Sequence, residues 1–239
     1  MKTIAVIPAR LASTRLPRKM LREIAGKPLI GCVYEAVRSS PLLAEVIIAT
    51  DSQEIMAVCR ERGWNAQMTL PSHRSGTERV HEISTRVMAD VYINVQGDEP
   101  LTRPEQIATL LQVMENSAAQ VGTLMTRASA IDIANPNAVK VVTDRSARAL
   151  YFSRAAIPFD RDGTHPPYFK HLGLYAYRKA ALDRFVKLPE SPLEKSERLE
   201  QLRFLENGIS IFSGETPHDS IGVDTEEDLQ RVTDILGRR

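Results

Sequence analysis

The chain predicts an α/β fold, a mostly parallel open sheet flanked by helices. Short β-branched apolar runs of strand length alternate with stretches of helical periodicity, and polar residues gather just past the ends of those runs. Sheets of this kind bind ligands beyond the carboxyl ends of their strands.

Residues 3–8 read as a first strand, ending at Pro8, and residues 29–38 as a helix opened by Pro28, a residue suited to a first turn. The β-branched run 45–49 is a second strand closing at Thr50 and Asp51, and Thr50-Asp51-Ser52 reads as a plain helix cap for residues 53–62, which stop at Gly63. Val80, Ile83 and Val87 fall on one face of a helix over 75–88. Residues 91–95 form a further strand, 104–116 a helix, and 121–126 and 139–143 are strand-like. The pattern changes after Asp144. A segment rich in Pro, Gly and Asp, a strand over 172–177 and helices near 180–186 and 196–207 suggest an inserted or α+β portion, before a last helix over 225–236.

At 239 residues the chain buries a full core, and 43% hydrophobic with 26% charged residues is ordinary for a soluble enzyme. A balance of 31 basic and 30 acidic side chains argues against nucleic acid as the main partner. No apolar run has the length of a signal peptide core or a membrane span, and Cys32 and Cys59 lack metal-ligand spacing. Two reduced thiols and a cytoplasmic location are expected.

Charge is concentrated in one place. Arg10, Arg15, Arg18, Lys19, Arg22 and Lys27 follow the first strand, opposed only by Glu23, in a chain of net charge +1. Guanidinium groups and the amides of a turn through Ser13 and Thr14 suit a polyphosphate, with Lys19 adding a point charge on a flexible stem. Neither a G-x-x-x-x-G-K-[ST] loop nor a G-x-G-x-x-G fingerprint is present, which removes most ATPases and dehydrogenases. Asp98, beside Gly97 at a strand end, suits Mg²⁺ with phosphate oxygens completing the coordination. Its matching partner is Asp224, although helix capping fits Asp224 equally well on spacing. The clusters at 8–19, 50–51 and 96–100 all follow predicted strands, so one crevice can collect them. Ser75-Gly76-Thr77 opens a helix whose first amides suit a base edge or sugar hydroxyl, or simply a cap. His171 and Tyr175 share a face of one strand.

These residues together resemble the 3-deoxy-manno-octulosonate (Kdo) cytidylyltransferases along nearly the whole chain. The resemblance rests on Ile7-Pro8-Ala9-Arg10, Ser13-Thr14-Arg15-Leu16-Pro17 with Lys19, Ser75-Gly76-Thr77-Glu78-Arg79 and Asn94-Val95-Gln96-Gly97-Asp98-Glu99-Pro100. Asn135-Pro136-Asn137-Ala138-Val139-Lys140, Tyr151-Phe152-Ser153-Arg154, His171-Leu172-Gly173-Leu174-Tyr175, Leu199-Glu200-Gln201-Leu202-Arg203 and Gly222-Val223-Asp224-Thr225 extend it. It implies a Rossmann-like nucleotidyltransferase domain over 1–239, with a smaller α+β subdomain within about 145–208 for sugar binding and homodimerisation. It also implies transfer of CMP from CTP to Kdo for lipopolysaccharide synthesis. Arg10, Arg15 and Lys19 then hold the CTP phosphates, with Asp98 the fourth catalytic residue. Ser75, Gly76 and Thr77 lie at the nucleoside, and Asp98 and Asp224 bind Mg²⁺. Gln96, Arg154, His171, Tyr175, Glu200 and Gln201 contact the sugar acid. Competing readings are a cytidylyltransferase for a nine-carbon acid, a thymidylyl- or guanylyltransferase, and a non-catalytic nucleotide sensor. One residue departs from the family: Arg18 stands where glycine usually precedes the loop lysine. If that position takes positive φ, arginine is disfavoured by roughly 1–2 kcal/mol. Either the loop bends differently or Arg18 joins the phosphate contacts.

Overall fold

β-branched and aliphatic residues with no exposed face form the central strands of the first of two compact units, residues 1–107 and 220–239. The computed structural model describes residues 1–13, 15–115 and 119–237, so Thr14 of the expected turn and Asn116 of the expected helix lie outside the described residues. Strand β1 (Thr3–Ala9) is followed by a 3₁₀ turn, Lys19–Leu21, and a hairpin of β2 (Glu23–Ile24) and β3 (Lys27–Pro28). Helix α1 (Leu29–Arg38), β4 (Glu45–Thr50), α2 (Gln53–Glu61), β5 (Ala66–Met68), α3 (Gly76–Arg86) and β6 (Val91–Asn94) follow in order. Four of these strands pair in parallel, in the order β6-β1-β4-β5. Val6 lies beside both Ile47 and Asn94, so the loops after β1, β4 and β6 leave the same edge of the sheet. The expected strand and helix alternation is therefore present, with boundaries moved by a residue or two.

Helix α4 (Pro104–Glu115) leads into the second unit, residues 108–219. This unit contains β7 (Val121–Arg127), α5 (Ala130–Ala134), β8 (Lys140–Thr143), β9 (Ala149–Ser153), β10 (Phe169–Tyr177), α6 (Lys179–Phe185), α7 (Pro192–Glu197), α8 (Leu202–Glu206) and β11 (Ile211–Glu215). β10 runs antiparallel to both β7 and β8, β8 to β9, and β11 parallel to β7. The compact unit begins at Ala108 rather than where the sequence pattern changes at Asp144, because β7 pairs with β10 and β11. The chain then re-enters the first unit and ends in α9 (Glu226–Leu236).

Several elements differ from expectation for local reasons. The β2–β3 hairpin turns through Ala25 and Gly26, both at positive φ, the conformation a two-residue hairpin loop requires. β5 is short and carries no apolar alternation to read. The single helix expected over 196–207 is two, because Arg198 ends α7 in the left-handed conformation, at φ 54°. Cys32 and Cys59 are both free. Among the described residues no helix is long and apolar enough to cross a membrane.

Candidate active site

The basic loop is anchored by its apolar residues. Leu16 is buried in a cluster with Ile24, Leu29, Leu101, Val223, Leu229 and Val232, so one core holds the loop after β1, the hairpin and the chain around α9. On either side of Leu16, Arg15 points to solvent while Lys19 is 7% exposed. The Lys19 ammonium donates to Asp98 Oδ2 at 2.5 Å and to Asp224 Oδ1 at 2.9 Å, and Arg15 Nη2 lies 2.9 Å from Asp224 Oδ2. Burial disfavours the charge on Lys19, but Asp98 and Asp224 outweigh it and hold the pKa above the ordinary lysine value.

Two backbone features bring these carboxylates together. The Val223 amide donates to the Asp98 carbonyl at 2.9 Å, tying the turn before α9 to the loop after β6. Gly97 runs so close to β1 that a Cβ there would lie 2.7 Å from the Pro8 carbonyl oxygen and 3.1 Å from Met20 Sδ. The alternative role for Asp224 is taken by its neighbour: Thr225 is the N-cap of α9, in a capping box with Asp228. The Asp224 side chain is left to Lys19 and Arg15.

Arg18 adopts φ 55°, ψ 31°, so the loop keeps the left-handed turn despite lacking glycine. Its guanidinium pairs with Glu54. Arg10 is exposed immediately after β1. Ser75 caps α3 by accepting from the Glu78 amide, Thr77 is buried, and Gly76 packs on Pro8, where a Cβ would come within 3.3 Å of its Cγ. The start of α3 thus presents backbone rather than the Thr77 side chain. Gln96 is part-buried just beyond β6.

Sequence reasoning missed the device that fixes α3. Arg79, 1% exposed, donates to Thr69 Oγ1 at 2.6 Å, to the Leu70 carbonyl at 3.3 Å and to Asp51. The cap expected from Thr50-Asp51-Ser52 is made by Ser52, which caps α2, while Asp51 is in addition the counter-ion of a buried arginine.

In the second unit, His171 and Tyr175 sit on β10 with ring centroids 5.3 Å apart. A regular strand separates residues four apart by roughly 13 Å. Here a bulge between Leu172 and Tyr175 shifts the register against β7 and shortens the span. His171 Nε2 is 3.1 Å from Thr123 Oγ1, and burial pushes its pKa down to about 3, so the ring is neutral at physiological pH. Burial also raises the Tyr175 phenol well above its usual value, with the charges of Tyr177 and Glu200 adding to the effect. Glu200 and the buried Gln201 lead into α8. The turn carrying them is braced by Arg203, which grips Glu194 of α7 with two hydrogen bonds at 2.7 and 2.5 Å. Arg154 directs its side chain to the carbonyls of Glu197 and Pro136 at 2.8 and 3.0 Å, and its amide to Glu197 Oε2 at 2.9 Å. Its own carbonyl accepts from Lys140, a wholly buried lysine that also donates to the carbonyls of Asn135 and Ala138.

The sequence matches the profile of the Cytidylyltransferase family over residues 4–211. It is 64% identical over 239 residues to the 3-deoxy-manno-octulosonate cytidylyltransferase of Koribacter versatilis, covering 100% of this chain and 91% of that protein. The chain belongs to the 3-deoxy-manno-octulosonate cytidylyltransferase family. The enzyme of the same name from Acidobacterium capsulatum is 55% identical, over 100% of this chain and 98% of its own length. A solved structure of CMP:2-keto-3-deoxy-manno-octonic acid synthetase complexed with CTP superposes with a TM-score of 0.96, at 44% identity and over 100% and 99% of the two chains. The nucleotidyltransferase fold of this family is therefore the fold of this chain.

Cytidylyltransferases generally work with a divalent metal. The donor set here fits one. Asp98 and Asp224 are hard oxygen donors that converge on a single positive charge, the Lys19 ammonium. Among the described residues no group of three or more His, Cys, Asp or Glu surrounds them. A divalent ion held by these two carboxylates would need its remaining ligands from phosphate oxygens and water.

Proposed function

We propose that this protein transfers CMP from CTP to the anomeric hydroxyl of 3-deoxy-D-manno-octulosonate, releasing pyrophosphate and supplying CMP-Kdo for lipopolysaccharide synthesis. The observation that carries the reading is the cluster of Lys19 and Arg15 with Asp98 and Asp224, at the ends of elements far apart in sequence. The acceptor hydroxyl gives its proton to water and its oxygen attacks the α-phosphorus; a new P–O bond forms as the bond from the α-phosphorus to the oxygen bridging to the β-phosphorus breaks, and pyrophosphate leaves. Arg10, Arg15 and Lys19 bind the triphosphate and stabilise the charge that builds on the departing pyrophosphate. The residues that open α3, Ser75, Gly76 and Thr77, meet the nucleoside. Asp98 and Asp224 are the residues to hold Mg²⁺, which when bound neutralises phosphate charge and lowers the pKa of the attacking hydroxyl.

Gln96, Arg154, His171, Tyr175, Glu200 and Gln201 recognise the sugar acid, within a subdomain of about residues 145–208 for all but Gln96. A neutral His171 serves there as a hydrogen-bonding group, because burial holds its pKa near 3 and leaves it uncharged at working pH. The protein works in the cytoplasm, as a homodimer. A pyrophosphate-release assay across CTP, UTP, GTP and dTTP, with Kdo, its 8-amino analogue and a sialic acid as acceptors, tests the reading. Release only with CTP and an eight-carbon acid is expected. Release with a sialic acid alone, or tight CTP binding with no turnover, overturns it.

A further inference from the structure

Lys19 has a second task that phosphate binding does not describe. Its ammonium lies 2.5 Å from Asp98 Oδ2 and 2.9 Å from Asp224 Oδ1, and its side chain is 9% exposed. The Val223–Asp98 backbone hydrogen bond brings the two segments that carry these carboxylates together. Like charges held so close need a cation, and the lysine supplies it. A divalent ion ligated by the same oxygens would sit at about 2.0–2.1 Å from each, within the space the ammonium fills. The ammonium and the ion therefore exclude one another.

We infer that Lys19 is an internal stand-in cation, which keeps Asp98 and Asp224 converged and admits a divalent ion only when a polyphosphate draws the ammonium away. This rests on the reading of Asp98 and Asp224 as the metal holders. Its consequence is a coupling: nucleotide and metal bind cooperatively, beyond the chelation of metal by the nucleotide itself, because both are linked to one lysine. The neighbouring charge points the same way. Arg15 pairs with the other oxygen of Asp224, so a triphosphate that engages Arg15 and Lys19 together frees that carboxylate from both cations.

The test uses the full-length, nucleotide-free protein and Mn²⁺ alone as probe, followed by calorimetry and by electron paramagnetic resonance of free Mn²⁺. Wild type is expected to bind Mn²⁺ weakly, and Lys19→Gln or Lys19→Met about tenfold tighter or more, with Mn²⁺ raising the melting temperature of the variants. In wild type, Mn²⁺ alone is expected to move the melting temperature by less than about 1 °C. Folded Lys19 variants that bind Mn²⁺ no tighter than wild type overturn the proposal. So does a wild-type protein stabilised by Mn²⁺ by several degrees in a manner lost in Asp98→Asn, a result that needs no Lys19 variant to fold and leaves the metal assignment standing. If the tighter binding of Lys19→Gln survives both Asp98→Asn and Asp224→Asn, the metal assignment fails instead.

Discussion

Arg18 and Asp98 lie in neighbouring loops and illustrate opposite kinds of residue. Arg18 holds φ 55°, a conformation that costs an L-residue about 1–2 kcal/mol, and its exposed pair with Glu54 returns at most about 1 kcal/mol. Replacement by alanine removes the pair and keeps the backbone cost; replacement by glycine removes both. Arg18→Gly should therefore be more stable than Arg18→Ala by about 1 kcal/mol in urea unfolding, after the greater freedom of unfolded glycine is counted. Equal stability of the two would show that the turn relaxes away from positive φ. Asp98 is the reverse case, a residue that the proposed mechanism uses and that Gly97 and the Val223 amide position. Asp98→Asn should lower turnover by about a thousandfold while the circular dichroism and the cooperative melt persist. Near-normal turnover would remove Asp98 from the mechanism.

At the scale of elements, two backbone irregularities have measurable effects. The bulge in β10 sets His171 against Tyr175 and Phe152, in surroundings that keep the imidazole neutral down to about pH 3. Below its ordinary pKa of 6.5 the unfolded chain takes up a proton that the folded state refuses. Stability from this source is complete above that value and falls with acidification toward pH 3, at about 1.4 kcal/mol per pH unit. His171→Gln should flatten the acid limb of the urea-measured stability profile by one proton; an unchanged slope would place the proton uptake elsewhere. The loop after β6 depends on close approach. A methyl at Gly97 meets the Pro8 carbonyl at 2.7 Å, so Gly97→Ala should shift Asp98 and lower kcat/KM by about 10- to 100-fold, with only a few degrees lost in melting temperature. A variant of unchanged kcat/KM would mean that β1 gives way instead.

Over the molecule as a whole, the proposed homodimer predicts a mass by light scattering of twice 26.7 kDa, independent of added CTP. A monomer at micromolar concentration would contradict it. The sequence made β1, β4 and β6 legible because each is a largely continuous apolar run, and it made the basic loop legible because its cations crowd one segment. What it left out depends on contacts between distant positions. Nothing near Asp51 marks it as the partner of Arg79, and nothing near Lys140 announces three backbone carbonyls as its only hydrogen-bond acceptors among the described residues. The bulge of β10 is likewise a property of two strands together, and Gly173 alone did not reveal it. Spacing could not choose between capping and metal binding at Asp224; Thr225 takes the cap, and the metal role stays a proposal.

The ion pair between Lys19 and Asp224 joins positions 205 residues apart, and Val223 closes a core begun by Leu16. During synthesis the second carboxylate leaves the ribosome 205 residues after the lysine. A chain interrupted before residue 220 has Arg15, Lys19 and Asp98 but neither Asp224 nor the apolar side chains of α9 that pack with Leu16. If Asp224 holds the metal as proposed, a product terminated before residue 220 is silent rather than half-active.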